Sequence, residues 1–511
     1  MANSEYDAIV VGLGAAGSVV TGALSGAGWN VLALEEGPWY SPFRDFHDGR
    51  AERIPTGLTY ERDSIRPSMV KCVGGSMLFY AGVFFRLHES DFTTRTRSGC
   101  GVDWPISYRE LEPFYDKVEI FTGASGSSDN VFEVPRGPYP NPPHPVSRGS
   151  RYFADGARKL GYHPAPTPMS ILSRPYRGRP ACTYCAKCGE GCMIGDKSSP
   201  EMTYVPAAVN NGAEIRSGHK VLTIETNTAG RVTGVVYSDS EGIRQKAASD
   251  LVVLCGSALL NPTLLLRSRG PAHPEGLGAR SGMVGRNLMC HTGGRYMARF
   301  PEEVNAYMGI SGGINVQDFY EGTPDGDFDR GYTLYVSLLP SPPATFVSWY
   351  FEQNDWGGKL MDVMGSYNRM IRLAMVGEDQ ARVENMVYPD PDDTDDEGFP
   401  RPRVRYVRPG SEFSRYEHAM AVARKICRAG GADDWELYHI SNGSAHPLGT
   451  CRMGDNPDTS VVNRWGACHD VPGLYICDGS AFPTSGAVNP ALTIMALASR
   501  TADRLIARRT G

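Results

Sequence analysis

The sequence predicts an α/β protein in which a Rossmann-like domain with a parallel sheet is joined to a domain built mostly on an antiparallel sheet. Three observations support this fold class. An apolar strand runs into a Gly-x-Gly-x-x-Gly turn near the start of the chain, a fully apolar strand at 250–254 fits the same sheet, and alternating strand patterns occur within 295–440. Because 511 residues exceed the roughly 250–300 that one core supports, we expect two domains.

The first unit has the residues of a nucleotide-binding βαβ fold. Its first strand meets the turn Gly12-Leu13-Gly14-Ala15-Ala16-Gly17, which opens a small-residue helical pattern. Gly12 allows a tight turn, Gly14 lets the backbone approach a pyrophosphate, and Gly17 permits close packing of helix on strand. We expect phosphate groups at the N-terminus of this helix.

An acidic residue completes that unit. The second apolar strand, at 29–34, ends in Glu35, where an acid that binds the ribose of an adenosine belongs. The alternative is a solvated strand end. The position of Glu35 at the end of the strand that follows the glycine turn and its helix favours adenosine binding.

Composition excludes several classes of protein. Apolar residues make up 41% of the chain, with 59 glycines and 37 prolines, which is typical of a loop-rich globular enzyme. The net charge of −6 and the lack of a long basic run give no reason to expect nucleic acid or an anionic membrane as a partner. The first strand begins within about eight residues of Met1 and no apolar segment reaches ~20 residues, so we expect a cytoplasmic protein.

Two segments in the first half are glycine- or cysteine-rich. Val73-Gly74-Gly75-Ser76, next to a predicted buried strand, suggests backbone lying flat against a planar ligand, or else a plain loop. Cys182, Cys185, Cys188 and Cys192 have the C-x2-C-x2-C-x3-C spacing of an iron–sulfur site, although Met193 replaces the usual proline. Zinc, a redox disulfide and a structural loop remain alternatives. Buried single thiols are expected at Cys72, Cys255, Cys427 and Cys477.

The rest of the chain alternates between strands and helices. The patterns predict a helix over 108–121, a loop-rich excursion at 123–150, strands at 213–216, 220–226, 232–238, 332–338 and 345–351, a helix around 361–375, an acidic turn-rich stretch at 390–397 and a final helix over 494–506. Trp349, Tyr350 and Phe351 could stack on a sugar or fill a core.

The motifs together resemble the glucose–methanol–choline (GMC) oxidoreductases, which are FAD-dependent alcohol oxidases and dehydrogenases. The resemblance rests on the glycine turn and on segments that occur in the family's order: Val73–Ser76, Trp104–Ser107, Gly256–Pro262, Val284–Met289, His446–Thr450 and Asn489–Pro490. It implies a discontinuous FAD-binding domain at 1–95, 200–295 and 441–511. A substrate-binding domain would comprise 96–199, with the cysteine-rich loop, and 296–440.

The same resemblance assigns the chemistry. His446 would take the proton of a substrate hydroxyl while hydride leaves the carbon for the flavin, and Asn489 would hydrogen-bond the substrate oxygen. FAD would be held by the following residues: Gly12, Gly14, Ala15, Ala16, Glu35, Val73, Gly74, Ser76, Phe79, Tyr80, Val221, Gly256, Asp478, Gly479, Asn489 and Pro490. Some relatives attach FAD through a histidine where this chain has Phe79, so we expect non-covalent FAD.

Within the family, the chain looks closest to the branch of pyranose 2-oxidase-like enzymes and C-glycoside 3-oxidases. This implies oxidation of a secondary sugar hydroxyl with O2 reduced to H2O2. The favoured position is C3 of a C- or O-glucoside. A partner enzyme that acts on the keto-sugar is compatible with this assignment, and so is an oligomeric protein. One alternative is a dehydrogenase that passes electrons to a quinone, dye or cytochrome, with or without an iron–sulfur cluster bound by Cys182, Cys185, Cys188 and Cys192. A second is a lyase or a protein with structural FAD.

Overall fold

The computed structural model describes residues 5–46, 56–99, 101–323, 328, 330–339, 357–441 and 446–510. Its strands, in chain order, are β1 Ala8–Val11, β2 Val31–Glu35, β3 Thr59–Tyr60, β4 Ala165–Pro166, β5 Glu214–Ser217, β6 Lys220–Thr226, β7 Val232–Ser238, β8 Arg244–Ala248, β9 Val252–Leu254, β10 Met289–Cys290, β11 Thr292–Arg299, β12 Ile314–Val316, β13 Tyr332–Ser337, β14 Met370–Gly377, β15 Met386–Thr394, β16 Pro400–Arg405, β17 Glu436–Ile440, β18 Pro447–Leu448 and β19 Leu474–Ile476.

The α-helices connect and cover these strands. They are α1 Ala15–Gly26, α2 Pro42–Asp45, α3 Thr94–Ser98, α4 Tyr108–Thr122, α5 Arg148–Lys159, α6 Tyr204–Asn210, α7 Asn261–Arg267, α8 Gly358–Gly365, α9 Gly410–Ala429 and α10 Ala491–Thr510. Helix α4 is the helix predicted over 108–121. Ser107 caps it by accepting from the Glu110 backbone N–H, and Gly123 ends it in the left-handed conformation.

A parallel sheet forms the first layer, as the glycine turn and the apolar strand at 250–254 predicted. Its order is β19-β9-β1-β2-β5, and every neighbouring pair runs parallel. The residues of β1, β2 and β9 are buried, which is why these strands are apolar throughout rather than alternating. Helix α10 packs on α1 and α4, so the first and last parts of the chain share one core.

A six-stranded antiparallel sheet forms the second layer. Its order is β17-β11-β14-β13-β12-β4, and α5 and α9 pack against it over a second apolar core. The antiparallel sheet expected within 295–440 is therefore present. Smaller sheets, β6-β7-β8 and β15-β16-β3, flank the two layers, and β10 pairs with β18.

Several predicted elements differ in the structure. The helix expected around 361–375 ends at Gly365, and Met370–Gly377 is a central strand because neighbours pair with it on both sides. The buried strand predicted next to Gly74 and Gly75 does not form. Gly74 instead caps a 3₁₀ turn over Gly75–Leu78.

Other differences concern where a strand and a helix begin or end and which cysteines are in contact. Much of the acidic stretch at 390–397 continues β15 as an extended strand paired with β16, and the final helix begins earlier, at Ala491. Cys255 and Cys477 are not single thiols, since their sulfurs lie 3.8 Å apart. The strand predicted at 345–351, with Trp349, Tyr350 and Phe351, lies outside the described residues. Within the described ranges, no helix has the length and apolarity needed to cross a bilayer.

Candidate active site

A cavity of about 920 Å³ runs from the parallel sheet to the antiparallel sheet. One end is lined by Gly12 and Glu35, where β1 and β2 end, and the other by His446, Asn489 and the cavity-facing side of β11. Ligands of open parallel sheets bind at the carboxyl ends of the strands, which is where this cavity begins.

Glycines make close backbone approaches at the sheet end of the cavity. Gly12 has φ +87°, and a Cβ there would lie 2.7 Å from the Cys255 carbonyl oxygen. Gly75 has φ +59°, and its Cβ would lie 2.8 Å from the Gly14 Cα, so the glycine segment packs directly on the glycine turn. A Cβ on Gly17 would overlap the Gly12 carbonyl, as expected for close packing of helix on strand.

The N-terminus of α1 is open toward this end of the cavity. Gly14 is the N-cap and supplies no side-chain hydrogen bond, and the first turn contains no acidic residue. The first-turn N–H groups of a helix have no intrahelical partner, so they favour an anion. Gly14, Ala15 and Ala16, which the resemblance assigns to FAD, line the cavity here.

Glu35 is buried at the end of β2 and lines the cavity. Its carboxylate accepts hydrogen bonds from the Leu13 N–H at 2.8 Å and the Gly37 N–H at 2.9 Å. Burial raises the pKa of Glu35 to about 7, although these two hydrogen bonds oppose the shift. The side chain is thus fixed by the turn it faces and is not a solvated strand end.

Asp478 lies where β19 ends, beside the end of β9. It accepts hydrogen bonds from the Ser257 N–H at 2.7 Å and from Asn261 Nδ2 at 2.9 Å. Burial raises its pKa above the ordinary value. Asp478, Gly479 and Gly256 line the cavity, and Val221 of β6 does so from the other side.

Only part of the glycine segment lines the cavity. Gly75, Ser76, Phe79 and Tyr80 line the cavity. Val73 and Gly74 are not among the lining residues. Gly74 instead donates its N–H to the Leu13 carbonyl at 2.8 Å, and Val73 is fully buried.

Three polar side chains meet at the other end of the cavity. His446 Nε2 lies 3.3 Å from Asn489 Nδ2, and His446 Nδ1 lies 3.0 Å from His291 Nδ1. The pairing of β10 with β18 produces the second contact, because Cys290 lies opposite Pro447 and the next residues of each strand are His291 and His446. His291 had not been singled out from the sequence.

The hydrogen bonds fix the tautomers of both histidines. His291 Nε2 lies 2.8 Å from the Gly486 carbonyl and 3.3 Å from the Ser485 carbonyl, and a carbonyl can only accept, so Nε2 carries the proton. In a neutral ring Nδ1 of His291 is then an acceptor and receives the N–H of His446 Nδ1. The Nε2 lone pair of His446 therefore faces Asn489 and the cavity.

Both imidazoles are held neutral. Burial lowers the pKa of His291 to about 4. Burial, followed by the positive charges that His291 and Arg295 would add, holds the pKa of His446 well below its ordinary value. At neutral pH His446 Nε2 can thus accept a proton, which is what the sequence-based assignment of a base requires.

Asn489 directly precedes Pro490 and helix α10. Its Oδ1 is buried and, within the described part of the chain, has no hydrogen-bond partner. The side chain is therefore not used as a helix cap. An orphaned amide oxygen in a cavity of this size, together with the close glycine contacts and the open helix N-terminus, fits a large ligand with a phosphate-rich and a polar planar end, as FAD has.

Phe79 stands where some GMC enzymes carry a histidine linked to FAD. Its ring packs edge-on against Tyr40 and Phe46, with centroids 6.1 Å and 5.9 Å away. A phenyl side chain offers no nucleophilic atom to a flavin.

The cysteine-rich loop packs against the segment that contains Phe79, because Lys197 Nζ donates to the Cys188 carbonyl at 2.6 Å and to the Leu78 carbonyl at 2.7 Å. Its four cysteines are not among the residues that line the cavity. Cys192 donates its S–H to Asp196 Oδ1 at 2.8 Å, and Tyr184 donates its N–H to Cys182 Sγ at 3.3 Å. Cys185 is exposed and Cys188 is buried. Among the described residues, no three histidine, cysteine or acidic side chains gather as metal ligands. The iron–sulfur spacing is therefore not accompanied by a convergent ligand set.

Two lining residues of the antiparallel sheet were also missed. Arg295 of β11 and Tyr335 of β13 face the cavity beyond His446. The period-two alternation that places Gly293 and Arg295 on one face of a strand could have indicated them. The position of His291, two residues after the Val284–Met289 motif, was a further available signal.

Comparison with known proteins agrees with this arrangement. Models of the GMC oxidoreductase family match residues 6–293 and 384–498. The chain is 33% identical to 2-methyl-1,2-propanediol dehydrogenase of Mycolicibacterium austroafricanum, covering 99% of this chain and 96% of that protein. It is 30% identical to paromamine 6'-oxidase of Streptomyces fradiae, covering 99% and 93%.

A solved structure shows the same fold. Formate oxidase superposes with a TM-score of 0.72 at 15% identity, over 99% of both chains. The family models span most of the chain, and FAD is the cofactor of this family of oxidoreductases. The protein is therefore a flavoenzyme that belongs to the GMC oxidoreductase family.

Proposed function

We propose that the protein oxidises a secondary hydroxyl group of a sugar or glycoside, with His446 as the base and Asn489 as the group that holds the substrate oxygen. The observation that carries this proposal is the hydrogen-bonded order His291–His446–Asn489, which leaves a neutral Nε2 lone pair facing the cavity.

Each residue has a defined part in the step. FAD supplies the hydride acceptor. A substrate hydroxyl that enters between His446 and Asn489 would donate its proton to His446 Nε2 and accept from Asn489 Nδ2. His291 would keep His446 in the tautomer that can accept. As the proton leaves, the resulting imidazolium is stabilised by the acceptor at His291 Nδ1.

The glycine-lined end would hold the rest of the cofactor. Glu35 would accept from the adenosine ribose, and the N–H groups of α1 would face the pyrophosphate. Asp478 and Gly479 would lie along the central chain of FAD. With Phe79 in place of a histidine, we propose that FAD binds without a covalent bond.

The resemblance to pyranose 2-oxidase-like enzymes favours C3 of a C- or O-glucoside as the site of oxidation and O2 as the acceptor, with H2O2 released. The two relatives described above are named for a diol and for the 6' position of paromamine, and one is a dehydrogenase. A dehydrogenase that reduces a quinone, dye or cytochrome is therefore the second candidate.

The test is a panel of free sugars, O-glucosides and C-glucosides, with their acidic and phosphorylated counterparts, added to the enzyme without oxygen. We expect loss of the oxidised-flavin absorbance with at least one glycoside, and a carbonyl at C3 of the product. Readmitting air separates the candidates, because an oxidase releases one peroxide per turnover, whereas a dehydrogenase turns over only with an added acceptor. If no member of the panel reduces the flavin, the proposed oxidation is wrong, and lyase or structural use of FAD takes its place.

A further inference from the structure

Two arginines lie side by side on the cavity face of the six-stranded sheet. Arg295 of β11 is opposite Ala374 of β14, and Arg372 of β14 is opposite Met297 of β11. They are therefore diagonal neighbours on one face, about 7–8 Å apart in the backbone. Arg295 lines the cavity at the end that holds His446 and Asn489, and Arg372 lies one position further along the sheet.

Small and polar residues surround the pair. Ala374 lies between Arg295 and Tyr335 in the row. Ser337 is opposite Arg372 and accepts from its Nη2 at 3.1 Å, and Ser311 lies 3.1 Å from the Ser337 hydroxyl. Guanidinium, hydroxyl and phenol groups thus face one region beside the proposed base.

Neither guanidinium has an acidic partner among the described residues. Within the described residues, the only hydrogen bond of the Arg295 side chain runs from Nη1 to the Gly294 carbonyl at 3.1 Å. Nε of Arg372 is buried without a hydrogen-bond partner in the described part of the protein. Burial, followed by the positive charge of Arg295, lowers the pKa of Arg372 to about 9. Two adjacent, partly buried cations without a counter-ion are costly, so such a pair beside a cavity indicates an anion.

Three acidic residues near the ends of β11 and β14 have other partners. Alternate residues of β11 face opposite sides, and Thr292 donates to Glu412 of helix α9 at 2.7 Å on the far face. Glu378 accepts from Arg330 at 2.7 Å, and the Asp379 carboxylate accepts from the Tyr406 hydroxyl. These carboxyl groups already have partners and do not neutralise Arg295 or Arg372.

We propose that Arg295 and Arg372 bind an anionic group, a carboxylate or a phosphate, on the hydroxyl compound that the enzyme oxidises. Planar guanidinium groups bind both anions in a bidentate manner, and the site is adjacent to His446. The inference rests on the proposed function. It narrows the substrate from sugars in general to sugar acids, acidic glycosides or sugar phosphates.

Binding is tested on the intact holoenzyme with small probes that cannot be oxidised. Acetate, inorganic phosphate and acetamide are titrated while the visible absorbance of bound FAD is followed. Acetamide is the neutral counterpart of acetate. We expect saturable perturbation by at least one anion and none by acetamide. Loss of a charged hydrogen bond in Arg295→Gln or Arg372→Gln should weaken anion binding about 10- to 100-fold.

Arg299→Gln is the matched control. Arg299 lies on the same strand and face but is already paired with Asp362 at 2.9 Å and Asp433 at 2.7 Å, so its removal should leave anion affinity unchanged. Should a glutamine variant fail to fold, Arg295→Lys and Arg372→Lys keep the charge without the fork and should bind with reduced affinity.

The results distinguish a carboxylate substrate from a phosphate substrate, and anion binding from oxidation. Reduction by an aldonate and not by a sugar phosphate identifies a carboxylate substrate, and the reverse result identifies a phosphate. Equal effects of acetate and acetamide, or unchanged anion affinity in both glutamine variants, would overturn the proposal. So would a lowered flavin midpoint potential in Arg295→Gln with unchanged acetate affinity, because Arg295 would then serve the flavin. Anion binding that depends on both arginines, without flavin reduction by any hydroxyl compound, would count against the oxidation alone.

Discussion

Substitution of His291 tests whether this residue sets the tautomer of the proposed base. His291→Gln keeps an amide N–H that can reach the Gly486 carbonyl but places no acceptor beside His446 Nδ1. The N–H of His446 Nδ1 would then be buried without a partner, which costs about 1–3 kcal/mol. His446 can avoid this cost by moving its proton to Nε2, where it can no longer accept the substrate proton.

The expected magnitude follows from that cost. At 1.36 kcal/mol per factor of ten, flavin reduction should slow by about 5- to 150-fold. His291→Asn is the matched variant, because its Oδ1 reaches the position of the histidine Nδ1 and retains the acceptor, so it should be reduced faster than His291→Gln.

The assay is stopped-flow reduction of bound FAD by saturating substrate without oxygen, with flavin content and substrate affinity measured for each variant. A tautomer effect lowers the reduction rate and leaves FAD content and substrate affinity close to those of the wild-type enzyme. Equal rates in His291→Gln and the wild-type enzyme, or a larger defect in His291→Asn than in His291→Gln, would refute the reasoning.

Three further predictions concern the cofactor. Glu35→Gln should weaken FAD binding about tenfold through loss of a charged acceptor, measured by equilibrium dialysis. In the apo-protein, burial raises the pKa of Glu35 to about 7, so the contribution of this group to the free energy of unfolding is fully present below about pH 4.5 and is lost as pH rises through about 7. Glu35→Gln should lack this loss in urea unfolding. Gly75→Ala should lower FAD occupancy because its Cβ would meet Gly14, whereas Gly99→Ala has a similar positive φ of +75° with open space and should retain FAD; equal occupancy would contradict the close approach. After acid precipitation, the flavin should be in the supernatant, and yellow protein in the pellet would show a covalent bond despite Phe79.

The sequence was sufficient for the parallel sheet and for the close packing around the glycine turn. Gly12, Gly17 and Glu35 act within 30 residues of each other, and their roles follow from local backbone geometry. His446 and Asn489 were found through motif resemblance, and the structure brings their side chains to 3.3 Å.

The missed residues depend on long-range pairing. His291 meets His446 only because β10 pairs with β18 across more than 150 residues, and Arg295 meets Arg372 only through the register of β11 and β14. Met370–Gly377 resembles a helix in composition and becomes a strand because both of its edges are paired. A local pattern can mark such residues as candidates, but it does not show which distant strand each of them will face.

The identity of the base is tested most directly by single-turnover reduction of FAD in His446→Ala without oxygen. If His446 Nε2 takes the substrate proton, the reduction rate should fall about 10²- to 10⁴-fold, while FAD content and the visible spectrum stay those of the wild-type enzyme. A His446→Ala enzyme that retains FAD and is reduced at nearly the wild-type rate would contradict the assignment of His446 as the base.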